Sequence, residues 1–203
     1  GQGLEEMDKI ASETLDDTFR TALSGDSKDY RESSSSLMFA FILALVLIYL
    51  ILAAQFESFK DPFIIMLTVP LAIAGALIFM FAGGITMNIF SQIGIIMLIG
   101  LVAKNGILIV EFANLKQESG EDKMAAIRNA ALQRLRPILM TSVSTILGLI
   151  PLAFATGEGA NQRIAMGTAV VGGMLVSTLL TMYIVPAIYT YISTNRKVKT
   201  ETV

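Results

Sequence analysis

An all-α membrane protein is what this sequence predicts: a bundle of five transmembrane helices with a short α/β segment at its N-terminus. Three observations predict it. The 203 residues are 54% hydrophobic with a mean hydropathy of +0.66. Only 16% are charged, against about 25% in a typical soluble domain. The charges also cluster and leave long apolar stretches between them, five of which are long enough to cross a hydrocarbon core of roughly 30 Å at 1.5 Å per residue.

The first helix is expected over residues 37–55, because every residue from Leu37 to Ala54 is apolar. The second is expected over 62–82. Pro62 opens it, where a missing N–H costs nothing, and Thr68 and Pro70 are its interruptions. The third runs over 87–113, with Asn88, Ser91 and Gln92 early and Lys104 and Asn105 late. The fourth is expected over 137–155, again with Pro as its first residue, and the fifth over 164–192, with Pro186 near its end. Gly83-Gly84 breaks the chain between the second and third. The longer connection before Pro137 places Met124, Ile127, Ala131 and Leu135 at helical spacing, which predicts an interfacial amphipathic helix over 121–135.

Residues 1–36 carry nine Asp and Glu against four Lys and Arg. A helix is expected from Leu4 to Leu15 with Leu4, Met7, Ile10 and Ala11 on one face, then a short strand around Phe19–Leu23. A segment this short cannot bury a core of its own, so it reads as the tail of a larger external domain. The chain starts at Gly1 without a basic, apolar leader, which reads as a cut or incomplete end.

Five spans put the termini on opposite sides. One side carries Lys9, Arg20, Lys28, Arg31 and Arg163; the other carries Lys60, Lys116, Lys123, Arg128, Arg134, Arg136, Arg196, Lys197 and Lys199. The excess of basic residues marks the second side as cytoplasmic. Residues 193–203 are then a cytoplasmic tail, and the acidic N-terminus lies outside.

Composition excludes several chemistries. There is no Cys and no His, so neither a disulfide frame nor the usual transition-metal sites are expected. No phosphate-binding loop or nucleophile arrangement appears, so no cofactor, no enzymatic activity and no nucleic-acid partner are expected, and ATP bound to this chain would power nothing.

Lys104 is the most informative residue. It lies about eight residues inside the cytoplasmic end of the third span, roughly 12 Å deep. An ionisable group there costs several kcal/mol unless paired or hydrated. Its stem can snorkel towards the cytoplasm, or it is a buried functional group. Within the spans as drawn, the only carboxylate is Glu111, two turns away at about 10 Å. A counter-charge must therefore come from outside this sequence. In the fourth span Thr141, Ser144, Thr145 and Gly148 form a small polar stripe, which suits close helix packing and also supplies hydroxyls. Thr141 lies at a depth not far from that of Lys104. Arg134 and Arg136 flank the cytoplasmic entrance, where the positive-inside rule accounts for them.

Four runs resemble one family. They are Ala54-Gln-Phe-Glu-Ser-Phe-Lys-Asp-Pro62, Val69-Pro-Leu-Ala72, Gly100-Leu-Val-Ala-Lys-Asn-Gly-Ile-Leu-Ile-Val-Glu-Phe112 and Arg134-Leu-Arg-Pro-Ile-Leu-Met-Thr-Ser142. In this order and spacing they resemble the resistance-nodulation-division (RND) efflux transporters, and the likeness covers nearly the whole chain. The resemblance implies the C-terminal membrane portion of a much longer pump in the bacterial inner membrane, with residues 1–36 ending its second periplasmic porter region. Lys104-Asn105 resembles the hydrophobe/amphiphile, multidrug branch; the heavy-metal branch carries an acidic residue in this neighbourhood. The resemblance further implies a proton relay of Lys104, Thr141 and Arg134. It implies an Asp pair supplied by the N-terminal half, a homotrimer, a periplasmic adaptor and an outer-membrane channel. Two other readings remain at this stage: a membrane interaction subunit that transports nothing, and an RND exporter of lipids or metal ions.

Overall fold

The computed structural model describes residues 2–16 and 18–193. It contains α1 (Gln2–Thr14), α2 (Asp26–Phe56), α3 (Lys60–Met66), α4 (Thr68–Ala82), α5 (Ile89–Glu118), α6 (Lys123–Ala153) and α7 (Ala160–Ile192). Two compact units divide the chain, residues 1–42 and residues 43–203.

The first unit holds α1 and the start of α2. The α1 helix forms where the apolar spacing predicts it, and its Met7 and Ile10 stay exposed. No strand forms around Phe19–Leu23, and none occurs among the described residues, so the expected α/β segment is helix and coil only. A strand must pair its N–H and C=O groups with a neighbour, and no neighbouring strand is available to this run. The polar stretch before the first span is helical from Asp26 onwards, continuous with the span. Extending a helix that already exists costs far less than nucleating one.

The second unit is the bundle. Among the described residues of the chain, five segments are long and apolar enough to cross a membrane: Ser36–Phe56, Lys60–Ala82, Ile89–Glu118, Lys123–Ala153 and Ala160–Ile192. The central element is α7, which packs against α4, α5 and α6. By contrast α2 contributes little to the core beyond Leu52 and Phe56, while Leu43, Val46, Leu47, Leu50 and Ile51 stay exposed. Leu52 and Phe56 join Ile64, Ile65, Ile109, Val110, Ile127, Ile138, Val185 and Tyr189 in one hydrophobic cluster.

The second span is two helices rather than one. The break falls at Leu67, between α3 and α4. Pro70 explains it: its ring has no N–H for the carbonyl of Met66 and collides with that carbonyl in a regular helix. Thr68 Oγ1 instead caps back onto the Ile65 carbonyl at 2.7 Å.

The region 114–155 differs more. The structure has no separate interfacial helix over 121–135 and no helix start at Pro137; α6 runs unbroken from Lys123 to Ala153, with Pro137 and Pro151 inside it. An interior proline forfeits a backbone bond, but long membrane helices tolerate this because neighbouring groups satisfy the freed carbonyl. The true turn lies at 119–122. Gly120 adopts φ +95°, a left-handed conformation that glycine reaches without strain, and Asp122 caps α6 by accepting from the Met124 N–H at 3.2 Å. Lys116 Nζ pairs with Glu121 Oε1 at 2.8 Å, and Asn129 Nδ2 donates to Glu121 Oε2 at 3.0 Å. The Lys116 bond first, and the Asn129 bond second, hold the Glu121 carboxyl below its ordinary value. The end of α5 is thereby tied to the start of α6. At the next turn, Arg163 Nη2 donates to the Glu158 carbonyl at 2.9 Å.

Candidate functional site

The α5 helix presents two faces. Val102, Ala103, Asn105, Gly106 and Ile109 are buried. Ile93, Met97, Gly100, Lys104, Glu111 and Leu115 recur at spacings of four, three or seven and are exposed. Such spacing keeps residues on one side of a helix, so Lys104 sits in an outward stripe. Gly100, one turn before it, leaves open space: an added Cβ would meet nothing within 4 Å. Because α5 continues to Glu118, Lys104 lies near the middle of a 30-residue helix, roughly 20 Å from either end. That is nearer the middle of its helix than the expected span over 87–113 suggests, which makes snorkelling to an end harder. Among the described residues Lys104 makes no hydrogen bond or ion pair.

The other two expected relay residues lie on α6. Thr141 is half-buried, and its Oγ1 donates to the Ile138 carbonyl at 3.1 Å. Thr145 Oγ1 in turn donates to the Thr141 carbonyl at 2.8 Å. The hydroxyls of the polar stripe thus fold back on their own helix, while Ser144 and Gly148 face outward. Arg134 is half-buried, with its guanidinium 4.3 Å from the centre of the Phe112 ring on α5. Its Nε is enclosed and has no hydrogen-bond partner. No hydrogen bond links Lys104, Thr141 and Arg134 to one another among the described residues.

Instead, the bonds between helices are made by chain neighbours. Asn105 Nδ2 donates to Ser142 Oγ at 3.3 Å and to Thr178 Oγ1 at 3.4 Å. Thr178 Oγ1 donates to Ser142 Oγ at 3.2 Å. The three side chains come from α5, α6 and α7, and all are buried. Asn105 directly follows Lys104, and Ser142 directly follows Thr141. Sequence reasoning passed over this triad. The available signal was an amide in the middle of an apolar span, which rarely stays there without partners.

A second buried network lies further along α5. Asp61, on α3, accepts from Asn114 Nδ2 at 3.0 Å and from Ser193 Oγ at 3.4 Å. Tyr189 donates to Asn114 Oδ1 and accepts from Gln117 Nε2 at 2.8 Å. Asp61 is 3% exposed and lies inside the Lys60–Ala82 segment, so Glu111 is not the only carboxylate in the spans. Yet its partner Asn114 is ten residues beyond Lys104, about 15 Å along the axis. Asp61 therefore does not supply the counter-charge that Lys104 lacks. Among the described residues no group of three His, Cys, Asp or Glu could hold a metal ion. What remains is a lone ammonium at mid-span, held beside a neutral hydrogen-bonded triad and directed away from the core of its own bundle.

Comparison with known proteins gives the relatives of the chain. A family model described as the AcrB/AcrD/AcrF family matches residues 1–193. An uncharacterized transporter of Haemophilus influenzae is 39% identical over 97% of this chain and 20% of its own length. The toluene efflux pump membrane transporter TtgB of Pseudomonas putida is 39% identical over 95% of this chain and 18% of its own. Multidrug resistance protein MdtF of Escherichia coli is 44% identical over 77% of this chain and 15% of its own. The chain thus spans about a fifth of the length of the curated relatives it matches.

Proposed function

The chain belongs to the AcrB/AcrD/AcrF family of RND transporters, as multi-pass membrane sequence, and from that premise we propose that it is the C-terminal membrane portion of an inner-membrane, proton-driven efflux pump. The pump exports hydrophobic or amphiphilic compounds by proton/substrate antiport. The observation that carries this reading is Lys104: an ammonium at mid-span, exposed on its own bundle and paired with no carboxylate among the described residues. Such a group is costly to keep in a membrane, and it becomes useful when an outside carboxylate alternately pairs with it and takes up a proton. In this reading the N-terminal half of the same pump brings an Asp pair against the Lys104 stripe. Thr141 and Arg134 complete the relay, with Arg134 on the cytoplasmic proton route and its enclosed Nε–H an available donor. A homotrimer, a periplasmic adaptor and an outer-membrane channel complete the assembly. The similarity to a toluene efflux pump and a multidrug resistance protein supports export of solvents and drugs.

The test is efflux by the intact pump in cells lacking other exporters. Collapsing the proton gradient is expected to stop export of an amphiphilic dye within the mixing time, at unchanged ATP. Export that survives loss of the gradient overturns the reading.

The basic-residue count orients the chain with residues 1–36 periplasmic and the α5–α6 turn cytoplasmic. The chain has no native cysteine, so single cysteines in a cysteine-free pump report this directly. Ser24→Cys is expected to react with an impermeant maleimide in whole cells, and Met124→Cys only after the membrane is opened. Both side chains are exposed here. The opposite pattern inverts the topology.

A further inference from the structure

We infer that Asn105, Ser142 and Thr178 form a three-helix clasp that fixes the rotation of α5 and α6, so that Lys104 and Thr141 are presented together to the relay. They act as positioning residues and take up no proton themselves. The inference rests on the proposed proton relay and adds to it three residues outside the relay.

The geometry follows from helix periodicity. Successive residues point about 100° apart around the axis. Asn105 faces α6 and α7, so Lys104 is turned about 100° from that seam, onto the exposed stripe. Ser142 faces the same seam from the other side, and Thr141 is turned from it by the same angle. Any rotation of α5 or α6 that moved Lys104 away from Thr141 would break the Asn105–Ser142 bond. A register slip along the axis would break it as well.

The third member anchors the pair. Thr178 lies on α7, the helix packed against α4, α5 and α6. Five residues before it, Gly173 is so close to its neighbours that an added Cβ would lie 2.8 Å from the Ala72 carbonyl and 2.2 Å from Leu98 Cδ2. That closeness leaves α7 no freedom to shift, so Thr178 is a fixed post to which the other two helices are referred. The Nδ2 group has two N–H bonds, one for each hydroxyl, and the Thr178–Ser142 bond closes the ring.

Apolar side chains could fill this seam and pack it equally well. A buried amide among apolar neighbours does something they cannot: it makes one register and one rotation better than all others, as a single buried Asn does in coiled coils. A Lys that must meet an external carboxylate in a defined geometry needs that restriction.

The test uses the full-length pump reconstituted in liposomes, reading substrate-dependent proton flux against pH. Asn105→Leu keeps the shape of the side chain and removes both bonds. It is expected to leave the melting temperature and assembled yield at wild-type values, to lower flux about tenfold through misplacement of Lys104, and to shift the pH optimum. Ser142→Ala is expected to have a smaller effect of the same kind. The two together should cost less than the sum of the single effects, because both remove the Asn105–Ser142 contact. Wild-type flux and pH profile in Asn105→Leu overturn the clasp. So does a loss of yield with unchanged flux per assembled pump, which is the signature of packing alone. Lys104→Ala runs in parallel: if that variant retains proton flux, the relay itself is wrong, whereas an inactive Lys104→Ala beside an unaltered Asn105→Leu refutes only the clasp.

Discussion

Lys104→Ala in the intact pump is expected to abolish efflux, to the level of cells with no pump, while the protein inserts and assembles at least as well as wild type. Both halves follow from one observation. A Lys at the centre of a membrane helix disfavours insertion by about 2.5–3.5 kcal/mol on insertion scales, and no partner among the described residues offsets that penalty. Removing it cannot harm the bundle described, because its side chain lies outside the buried face of α5. Any loss is therefore a loss of chemistry. Lys104→Arg is expected to fail too, although it keeps the charge. The guanidinium is a planar fork that stays protonated and prefers two-pronged contacts, whereas the relay needs a compact ammonium able to change partner. Drug accumulation in cells making each variant, normalised to the assembled pump, measures both. Wild-type resistance with Lys104→Ala removes Lys104 from the mechanism.

Sequence reasoning located Lys104 but could not find its surroundings, and the difference is physical. Span positions follow from hydrophobicity over twenty residues, a property each segment carries alone, so five membrane-length segments were legible. The motif around Lys104 was legible for the same reason: it is contiguous. The Leu67 break was half-legible, since Pro70 marks the region but the break falls three residues upstream of it. Continuity through Pro137 was not legible, because whether a membrane helix bends, stops or absorbs a proline depends on what surrounds it. Starting the second span at Pro62 leaves Asp61 outside it, because Lys60 and Asp61 look like a polar boundary; only folding shows Asn114 and Ser193 bonding to it. The Asn105–Ser142–Thr178 triad joins residues 36, 37 and 73 positions apart, which no local pattern reports. The strand around Phe19–Leu23 failed differently. Its β-like residues are real, but a strand exists only against another.

Gly172→Ala is expected to destabilise the pump measurably by adding a single carbon, and Gly173→Val to prevent assembly. At Gly172 the added Cβ would lie 2.3 Å from Phe79 Cβ and 2.4 Å from its Cγ. Those atoms sit at the root of the side chain, so no rotamer change clears them and α4 must move as a body. At Gly173 the tip of Leu98 could swing aside, but the Ala72 carbonyl at 2.8 Å is backbone and cannot. Helices in a membrane gain little from hydrophobic burial against each other and depend on close approach of their backbones, so contacts of this kind hold α4 to α7. Overpacking a tight interior costs about 1–3 kcal/mol. The bulkier Val at Gly173 meets both neighbours at once. Gly148→Ala is the matched comparison, because an added Cβ there meets nothing within 4 Å and Ala is the better helix former by about 1 kcal/mol. Thermal unfolding of the full-length pump in detergent, followed by light scattering, separates them: Gly172→Ala should melt below wild type and Gly148→Ala should not. Equal melting of all three would mean that α4 and α7 are not packed backbone to backbone at Gly172, and the rigid post assigned to α7 would go with it.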